Sequence, residues 1–316
     1  MCSAPKTNWF SVFFAQLCLG LFLCAHAPIN KGRGILFAPE RSIMATTGPL
    51  KSIIPSRRLR RGIALLPFSL AAGIFLWYLV IWAGDLQAFI LPPPDLVWQR
   101  FLRALGDGSL SRHFRITLGE VLGGLALGGV SATALGYLLA RSRPLERLLA
   151  PYIVASQSVP IVAIAPLLVI WFGPGIASKM LICALIVFFP ILINTIVGVR
   201  SVPEDLYDLM RTLQASRWQT FKKLEIPAAL PVLFGGLRIG ATLAVIGAVV
   251  GEFVGSDRGL GFLINLGRGQ FDTALVFVAV FSLVAMALSL YIIVNFIENH
   301  LLLWQVRPEQ DEKSNL

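Results

Sequence analysis

The chain has 316 residues, of which 56% are hydrophobic and only 14% are charged. Soluble domains carry about 25% charged residues, so this composition excludes a soluble globular enzyme. The formal net charge is +10. A basic chain often binds nucleic acid, but apolar runs of about 20 residues indicate a membrane protein instead. Four cysteines without a CxxC spacing indicate neither a disulfide framework nor a metal site.

The N-terminal extension, residues 1–62, contains an apolar run from Trp9 to Ala27. Three interpretations fit this run: an extra membrane helix, a cleaved signal peptide, or an over-long start whose natural first residue is Met44. Cleavage would leave the new N-terminus outside, whereas the basic cluster from Arg57 to Arg61 predicts a cytoplasmic entry to the next helix. We therefore expect Met44 to be the natural start.

Six apolar windows after residue 60 have the length that a helix needs to cross a bilayer, about 20 residues. The acidic residues within them are Glu120 and Glu252. Lys179 sits at an edge, where its long side chain is expected to reach the headgroups. An all-α polytopic membrane protein with a six-helix core is therefore predicted. Its spans are Ile63–Trp82, Ile116–Ala140, Leu148–Trp171, Met180–Val199, Leu237–Val254 and Ala274–Phe296.

Positive charge is divided unevenly between the loops on the two faces of the membrane. Sixteen Lys and Arg residues fall on one face and seven on the other. Cytoplasmic loops are the ones that retain positive charge. Both ends of the core are therefore expected in the cytoplasm, with residues 83–115 on the periplasmic side and residues 301–316 as a cytoplasmic tail.

Prolines distinguish the third and fourth spans. Pro151, Pro160 and Pro166 lie in the third span and Pro190 in the fourth, and each removes a helical hydrogen bond and predicts a kink. Carbonyls freed within a membrane must be buried in protein or face water, so these spans are expected to line a solute path. The candidate path residues are Ser156, Gln157, Asn194 and, in the fifth span, Glu252.

The segment from Arg200 to Gly235 is too long for a simple turn. Pro203-Glu204-Asp205 predicts the start of an amphipathic helix. Ser216 is placed to cap a second helix, Arg217–Leu224, whose aromatic and cationic side chains suit docking on a cytoplasmic partner. An amphipathic element lying on anionic membrane lipids fits the same composition.

Two further prolines follow this second helix. Pro227 and Pro231 are expected to end it and to send the chain back toward the membrane.

The same segment carries a recognisable spacing: Asp208-Leu209-Met210, three residues, Gln214, nine residues, Leu224-Glu225-Ile226-Pro227. It resembles the EAA loop of permease subunits of binding-protein-dependent ABC importers. Gln214 stands where that family has Gly, which tolerates a positive φ more readily. The resemblance implies that the ATPase-coupling residues are Asp208, Leu209, Met210, Gln214, Ala215, Arg217, Trp218 and Pro227.

Further motifs narrow the resemblance to one branch of that family. They are Leu91-Pro92-Pro93-Pro94, the run from Val159 to Leu167 with Trp171-Phe172-Gly173, and Gly251-Glu252-Phe253 with Arg258-Gly259-Leu260-Gly261-Phe262. These residues resemble the nitrate, sulfonate and taurine branch, which includes permeases for pyrimidine precursors of thiamine. The implied substrate is accordingly nitrate, an aliphatic sulfonate such as taurine, or a thiamine pyrimidine precursor.

The resemblance implies a type I importer permease in the bacterial inner membrane, with residues 116–300 as the permease domain. Such a subunit is expected to pair with a second permease copy, to receive substrate from a periplasmic or lipid-anchored binding protein, and to dock a cytoplasmic ATPase dimer. ATP and Mg would be used by that ATPase, with no cofactor in this chain. Consistently, none of the seven lysines follows a glycine, as a P-loop requires.

A secondary, ion-coupled carrier is the alternative function. In that case Glu120 and Glu252 would titrate during transport, as intramembrane carboxylates often do. No inverted repeat is evident, and the long cytoplasmic segment would lack a purpose. Glu252 also has a structural interpretation, as an anion satisfied by backbone donors or paired with Arg258.

Overall fold

The computed structural model describes residues 57–302, with side chains described at 68, 69 and 71–302. The apolar run Trp9–Ala27, the expected start at Met44 and the tail from residue 303 onward lie outside this range. Predictions about those segments therefore stay predictions.

Residues 57–302 form helices and contain no strand, which confirms the all-α prediction. A five-residue π turn, Phe221–Glu225, joins the eighth helix to the ninth. The helices are α1 (Arg57–Gly84), α2 (Pro94–Gly106), α3 (Ser109–Arg141), α4 (Arg143–Gln157), α5 (Ile161–Phe172), α6 (Ile176–Arg200), α7 (Glu204–Thr212), α8 (Arg217–Thr220), α9 (Ile226–Gly255), α10 (Leu260–Gly269) and α11 (Thr273–Leu301).

Four helical runs in the described range are long and apolar enough to cross a membrane. They are α3, α6, the continuous run Arg217–Gly255, and α11, and they confirm the second, fourth, fifth and sixth predicted spans. The first predicted span falls within α1, whose described apolar part is Ala71–Gly84. The short helices α2 and α10, in the connecting segments, were not predicted.

The third predicted span has a break where a kink was expected. It is divided into α4 and α5, which are bent by 93° across a short break. Pro160 has φ −64° and ψ 116°, an extended backbone outside helical geometry. It immediately precedes the first residue of α5. Proline also disfavours the helical region for the residue before it, which is Val159. Pro151 and Pro166, by contrast, remain inside α4 and α5.

The prediction that Pro227 and Pro231 turn the chain is wrong. The second short helix ends at Thr220 instead of Leu224, and the π turn then leads directly into α9. Pro227 lies directly after the π turn, at the second residue of α9, and Pro231 lies inside the same helix. Movement of α8 is therefore transmitted along an unbroken helical backbone.

Helix α6 packs against both α3 and α9, and glycines permit its close approach to each. A Cβ added at Gly128 of α3 would lie 2.6 Å from the carbonyl oxygen of Ala184. A Cβ added at Gly247 of α9 would lie 2.8 Å from Cα of Cys183. The segment around Cys183 is thus enclosed by backbone on two sides.

We expect Gly128→Val to lower the thermal unfolding temperature of the purified protein. The added methyl groups meet the backbone of α6 and force the helices apart, and overpacking of this kind costs about 1–3 kcal/mol. Gly119→Val is the matched control, because it lies on the same helix with nothing within 4 Å of its Cβ position. Equal melting temperatures for the two variants would refute the close α3–α6 approach.

Candidate functional site: the coupling element

The segment from α7 through α8, Glu204–Thr220, is called the coupling element below. Pro203 precedes α7 and Glu204 and Asp205 occupy its first turn, which confirms the predicted helix start. Acidic side chains there are stabilised by the positive end of the helix dipole. The two helices lie on either side of a short turn, as predicted.

Gln214 forms that turn with a left-handed backbone, at φ 51°. Its N–H donates to the carbonyl of Arg211 at 2.9 Å, and the N–H of Ala215 donates to the carbonyl of Met210 at 3.0 Å. These bonds satisfy carbonyls at the end of α7. Gln214 therefore adopts the conformation for which a glycine is suited, so the departure from the family pattern leaves the turn geometry intact.

Ser216 caps α8, as predicted. Its hydroxyl accepts from the N–H of Gln219 at 3.3 Å, and its own N–H donates to Oε1 of Gln219 at 2.8 Å, which completes a capping box. Trp218 follows within α8 and is 68% exposed, with its ring 5.4 Å from that of Phe221. An exposed Trp held at its base by another ring is a typical anchor at protein interfaces.

The other predicted coupling residues surround this anchor. Asp208 is exposed and pairs with Arg211 at 2.8 Å, a surface contact worth no more than about 1 kcal/mol and thus readily exchanged for a partner. The exposed members of the predicted set are Asp208, Leu209, Gln214, Arg217 and Trp218; the half-buried members are Met210, Ala215 and Pro227. The element thus presents apolar and charged groups together.

Two surface clefts flank the coupling element. The first, of about 930 Å³, is lined by Tyr137, Arg141, Arg217, Trp218 and Phe221. The second, of about 540 Å³, lies beside α7 and includes four arginine side chains in its lining: Arg141, Arg143, Arg200 and Arg211. The lining of the second cleft also contains Glu204 and Asp208, so its charge is mixed.

The candidate path residues lie on three different helices. Ser156 and Gln157 are exposed at the end of α4, beside the 93° break. Asn194 is half-buried on α6, where its Nδ2 donates to the carbonyl of Pro190 at 2.7 Å. Glu252 is 1% exposed. Within residues 57–302 no hydrogen bond joins any two of them.

Glu252 closes a network between α3, α9 and α10. Its carboxylate accepts from Oγ1 of Thr117 at 2.6 Å and from the N–H of Gly261. The Thr117 hydroxyl oxygen in turn accepts from the N–H of Leu260 at 2.8 Å. Arg258 pairs with Asp257 instead, so the backbone-donor interpretation of Glu252 is confirmed and the pairing with Arg258 is wrong.

This network explains the glycines of the Gly259-Leu260-Gly261 motif. Gly259 has φ 111°, and a Cβ there would lie 2.0 Å from Oε1 of Glu252. A Cβ at Gly261 would lie 2.8 Å from Oε2 of the same carboxylate. Glycine at both positions lets the start of α10 close over Glu252.

We expect Gly259→Ala to reduce stability more than Gly173→Ala. Both glycines have a positive φ with an extended ψ, 167° at Gly173 and 171° at Gly259, a region that costs other residues about 1–3 kcal/mol. Gly173, however, has nothing within 4 Å of its Cβ position. Only the Gly259 variant must also displace the Glu252 carboxylate. Thermal unfolding of the purified protein measures the difference, and equal losses would contradict the role of Gly259.

The prediction that Lys179 reaches the headgroups is wrong. Lys179 is 3% exposed, its Nζ lies 3.3 Å from Oε1 of Glu120, and it donates to the hydroxyl of Ser256. Glu120 is fully buried on α3. The ammonium group supplies the counter-charge of an enclosed carboxylate, and charged groups inside proteins are buried in such pairs. The sequence contained one signal for this pair, namely that Lys179 and Glu120 are charges of opposite sign in or beside separate apolar windows.

Sequence reasoning also missed a set of residues beneath the coupling element. Glu225, at the end of the π turn, is 1% exposed and faces the end of α3. Arg141 Nη2 lies 2.6 Å from Glu225 Oε1, and the hydroxyl of Tyr137 donates to Oε2 at 2.9 Å. In the EAA loop motif, the position between the residues matched here by Leu224 and Ile226 accepts any residue. Glu225 stands at that position, so the motif did not indicate a role for it.

A family model for "Binding-protein-dependent transport system inner membrane component" matches residues 132–302. A riboflavin transport system permease protein of Chloroflexus aurantiacus is 48% identical, over 76% of this chain and 90% of the relative. A formylaminopyrimidine transport permease protein of Halalkalibacterium halodurans is 37% identical, over 73% of this chain and 94% of the relative. A putative aliphatic sulfonates transport permease protein of Bacillus subtilis is 32% identical, over 74% of this chain and 85% of the relative.

A solved structure is similar in fold. The MetNI methionine ABC transporter, in an inward-facing conformation, gives a TM-score of 0.54 at 20% identity, over 61% of this chain and 95% of that chain. These similarities confirm the resemblance inferred from the loop and branch motifs. The chain is therefore a non-catalytic membrane permease of the binding-protein-dependent ABC importer family, in the branch that includes sulfonate, taurine and thiamine-precursor permeases.

Proposed function

We propose that this permease docks a cytoplasmic ATPase dimer through its coupling element and forms a solute pathway with a second copy of itself in the inner membrane. A periplasmic or lipid-anchored binding protein delivers the substrate. The ends of the helical core face the cytoplasm, in agreement with the sixteen cations on that face. The observation that carries this proposal is the exposed coupling element, whose helix α8 continues without a break into α9.

The proposed motion begins when ATP binding closes the ATPase pair. The segment from Pro203 to Leu224 is displaced as a rigid body, because the Gln214 turn bonds back to the end of α7 and the capping box fixes the start of α8 directly after it. α9 follows along its continuous backbone, and α6 follows through its packing on α9. The break between α4 and α5 supplies a hinge, so the pathway alternates between inward-open and outward-open states.

The docking role of Trp218 is tested by Trp218→Ala in the assembled complex. Removal of an exposed aromatic anchor from an interface typically costs 2 kcal/mol or more, so less ATPase is expected to co-purify with the permease. Trp98→Ala is the control, because Trp98 is 60% exposed but lies on α2. Unchanged recovery of the ATPase, together with unchanged ATP hydrolysis, would refute the docking assignment.

For the substrate, we propose a nitrogen heterocycle such as a flavin or a pyrimidine. The relatives named for riboflavin and formylaminopyrimidine are 48% and 37% identical to this chain, against 32% for the sulfonate relative. Labelled riboflavin, formylaminopyrimidine, taurine and nitrate are offered in turn to vesicles that contain the complete transporter. ATP-dependent uptake of taurine or nitrate alone would overturn this assignment.

A further inference from the structure

The carboxylate of Glu225 is enclosed at the junction of three parts of the chain. It lies at the end of the π turn, contacts Tyr137 and Arg141 of α3, and lies near Tyr207 of the coupling element. The π turn follows the coupling element directly. A displacement of the coupling element therefore reaches Glu225 through this turn.

The π turn determines where this carboxylate points. The N–H of Ile226 bonds to the carbonyl of Phe221, five residues earlier, so the turn contains one residue more than an α-helical turn. Single π turns of this kind are frequent at functional sites. Here the extra residue coincides with a buried acid that meets two polar side chains of another helix.

Aromatic packing reinforces the same junction. The ring of Tyr137 meets Phe221 edge-on with centroids 5.1 Å apart, and the ring of Trp218 lies 5.4 Å from that of Phe221. The guanidinium of Arg141 lies 5.9 Å from the centre of the Tyr137 ring. A row of contacts thus runs from the exposed anchor of the coupling element to the end of α3.

We propose that Tyr137, Arg141 and Glu225 form a clamp through which displacement of the coupling element moves α3 together with α9. The inference rests on the proposed ATPase docking, and it identifies Glu225 as a positioning residue that touches neither ATP nor substrate. The charge pair suits this task because its acid is enclosed: the Glu225 side chain is 1% exposed, whereas that of Arg141 is 44% exposed. Separating them leaves an enclosed carboxylate without its counter-charge, which costs more than separating two exposed groups. The continuous helix connects the coupling element to α9, and the clamp adds α3.

The experiment measures whether α3 and α7 move together. Nitroxide labels are placed on Leu138 of α3 and Thr212 of α7, both exposed, in a background in which Cys2, Cys18 and Cys24 are replaced by serine. Cys183 is buried and stays. Distances between the labels are recorded by pulsed electron resonance in the complex with its ATPase, without nucleotide and after trapping with MgATP and vanadate.

With the clamp intact, the distance between the labels is expected to be the same in the two states. With Glu225→Gln, which keeps the shape of the side chain and removes its charge, the distance is expected to shift or broaden on trapping. Glu146→Gln is the matched control. It removes the Arg200–Glu146 pair, which joins α4 and α6 at the same end of the bundle, and is expected to leave the distance constant.

Arg141→Gln combined with Glu225→Gln covers the case in which the single variant is poorly folded, because it leaves neither charge unpaired. A constant distance in both clamp variants, with folded complex and bound ATPase, would overturn the proposal. A purely structural role would lower the melting temperature without changing the distance. Failure of the unmodified permease to retain the ATPase would instead overturn the proposed docking, and the clamp with it.

Discussion

Gln214→Pro is expected to abolish ATP-driven uptake by the assembled transporter, whereas Gln214→Gly is expected to retain it. Gln214 has φ 51°, and proline is fixed near −65°. The substitution also removes the N–H that donates to the carbonyl of Arg211 at 2.9 Å. Without this turn, α7 and α8 lose their fixed relation and no longer move as one body.

The glycine variant provides the control. It adopts a positive φ without the steric cost that Gln bears, so the turn is preserved. Uptake and ATP hydrolysis are measured in reconstituted vesicles, and recovery of the ATPase separates loss of docking from loss of motion. Normal uptake by the proline variant would show that the turn plays no part in coupling.

Lys179→Met is expected to cause a large loss of thermal stability. Lys179 and Glu120 are almost completely enclosed, at 3% and 0% exposure, and removal of one partner of a buried ion pair typically costs about 3–5 kcal/mol. Once Lys179 is replaced, the side chain left to bond Glu120 in the described part of the chain is that of Glu252, which is also acidic. An uncompensated carboxylate would therefore remain in the bundle.

Adding Glu120→Gln to Lys179→Met is expected to restore part of this loss, because it removes the unpaired charge. Arg211→Met tests a pair of the other kind, since the Asp208–Arg211 bridge is exposed and worth no more than about 1 kcal/mol. Melting temperatures of the purified variants measure all three effects. A double variant as unstable as Lys179→Met, or less stable, would refute the buried pair.

Local signals in the sequence were sufficient for the helices and for the coupling element. Apolar windows of about 20 residues predicted α3, α6, α9 and α11, because the thickness of the bilayer sets the length of a spanning helix. Pro203 and Ser216 predicted the starts of α7 and α8, because helix capping depends on residues within one turn of the chain. The family position of Gln214 indicated a turn, but Gln in place of Gly argued against the left-handed backbone that the structure shows.

Features that depend on tertiary geometry could not be predicted in the same way. Three prolines lie in one apolar window, and only the structure distinguishes the break at Pro160 from those that remain helical. The pairing of Lys179 with Glu120 depends on the register of α6 against α3. Glu225 faces α3 from the end of a π turn, a backbone feature that the amino-acid pattern beside Pro227 did not indicate.

The proposed mechanism is tested most directly by uptake into sealed vesicles that contain the permease, its ATPase and its binding protein. Uptake of labelled riboflavin, or of whichever of the four compounds is transported, is expected to require both ATP and the binding protein. It is expected to persist after the proton gradient is collapsed. Uptake that needs neither ATP nor the binding protein and disappears with the gradient would contradict the ATP-driven importer and favour an ion-coupled carrier that uses Glu120 and Glu252.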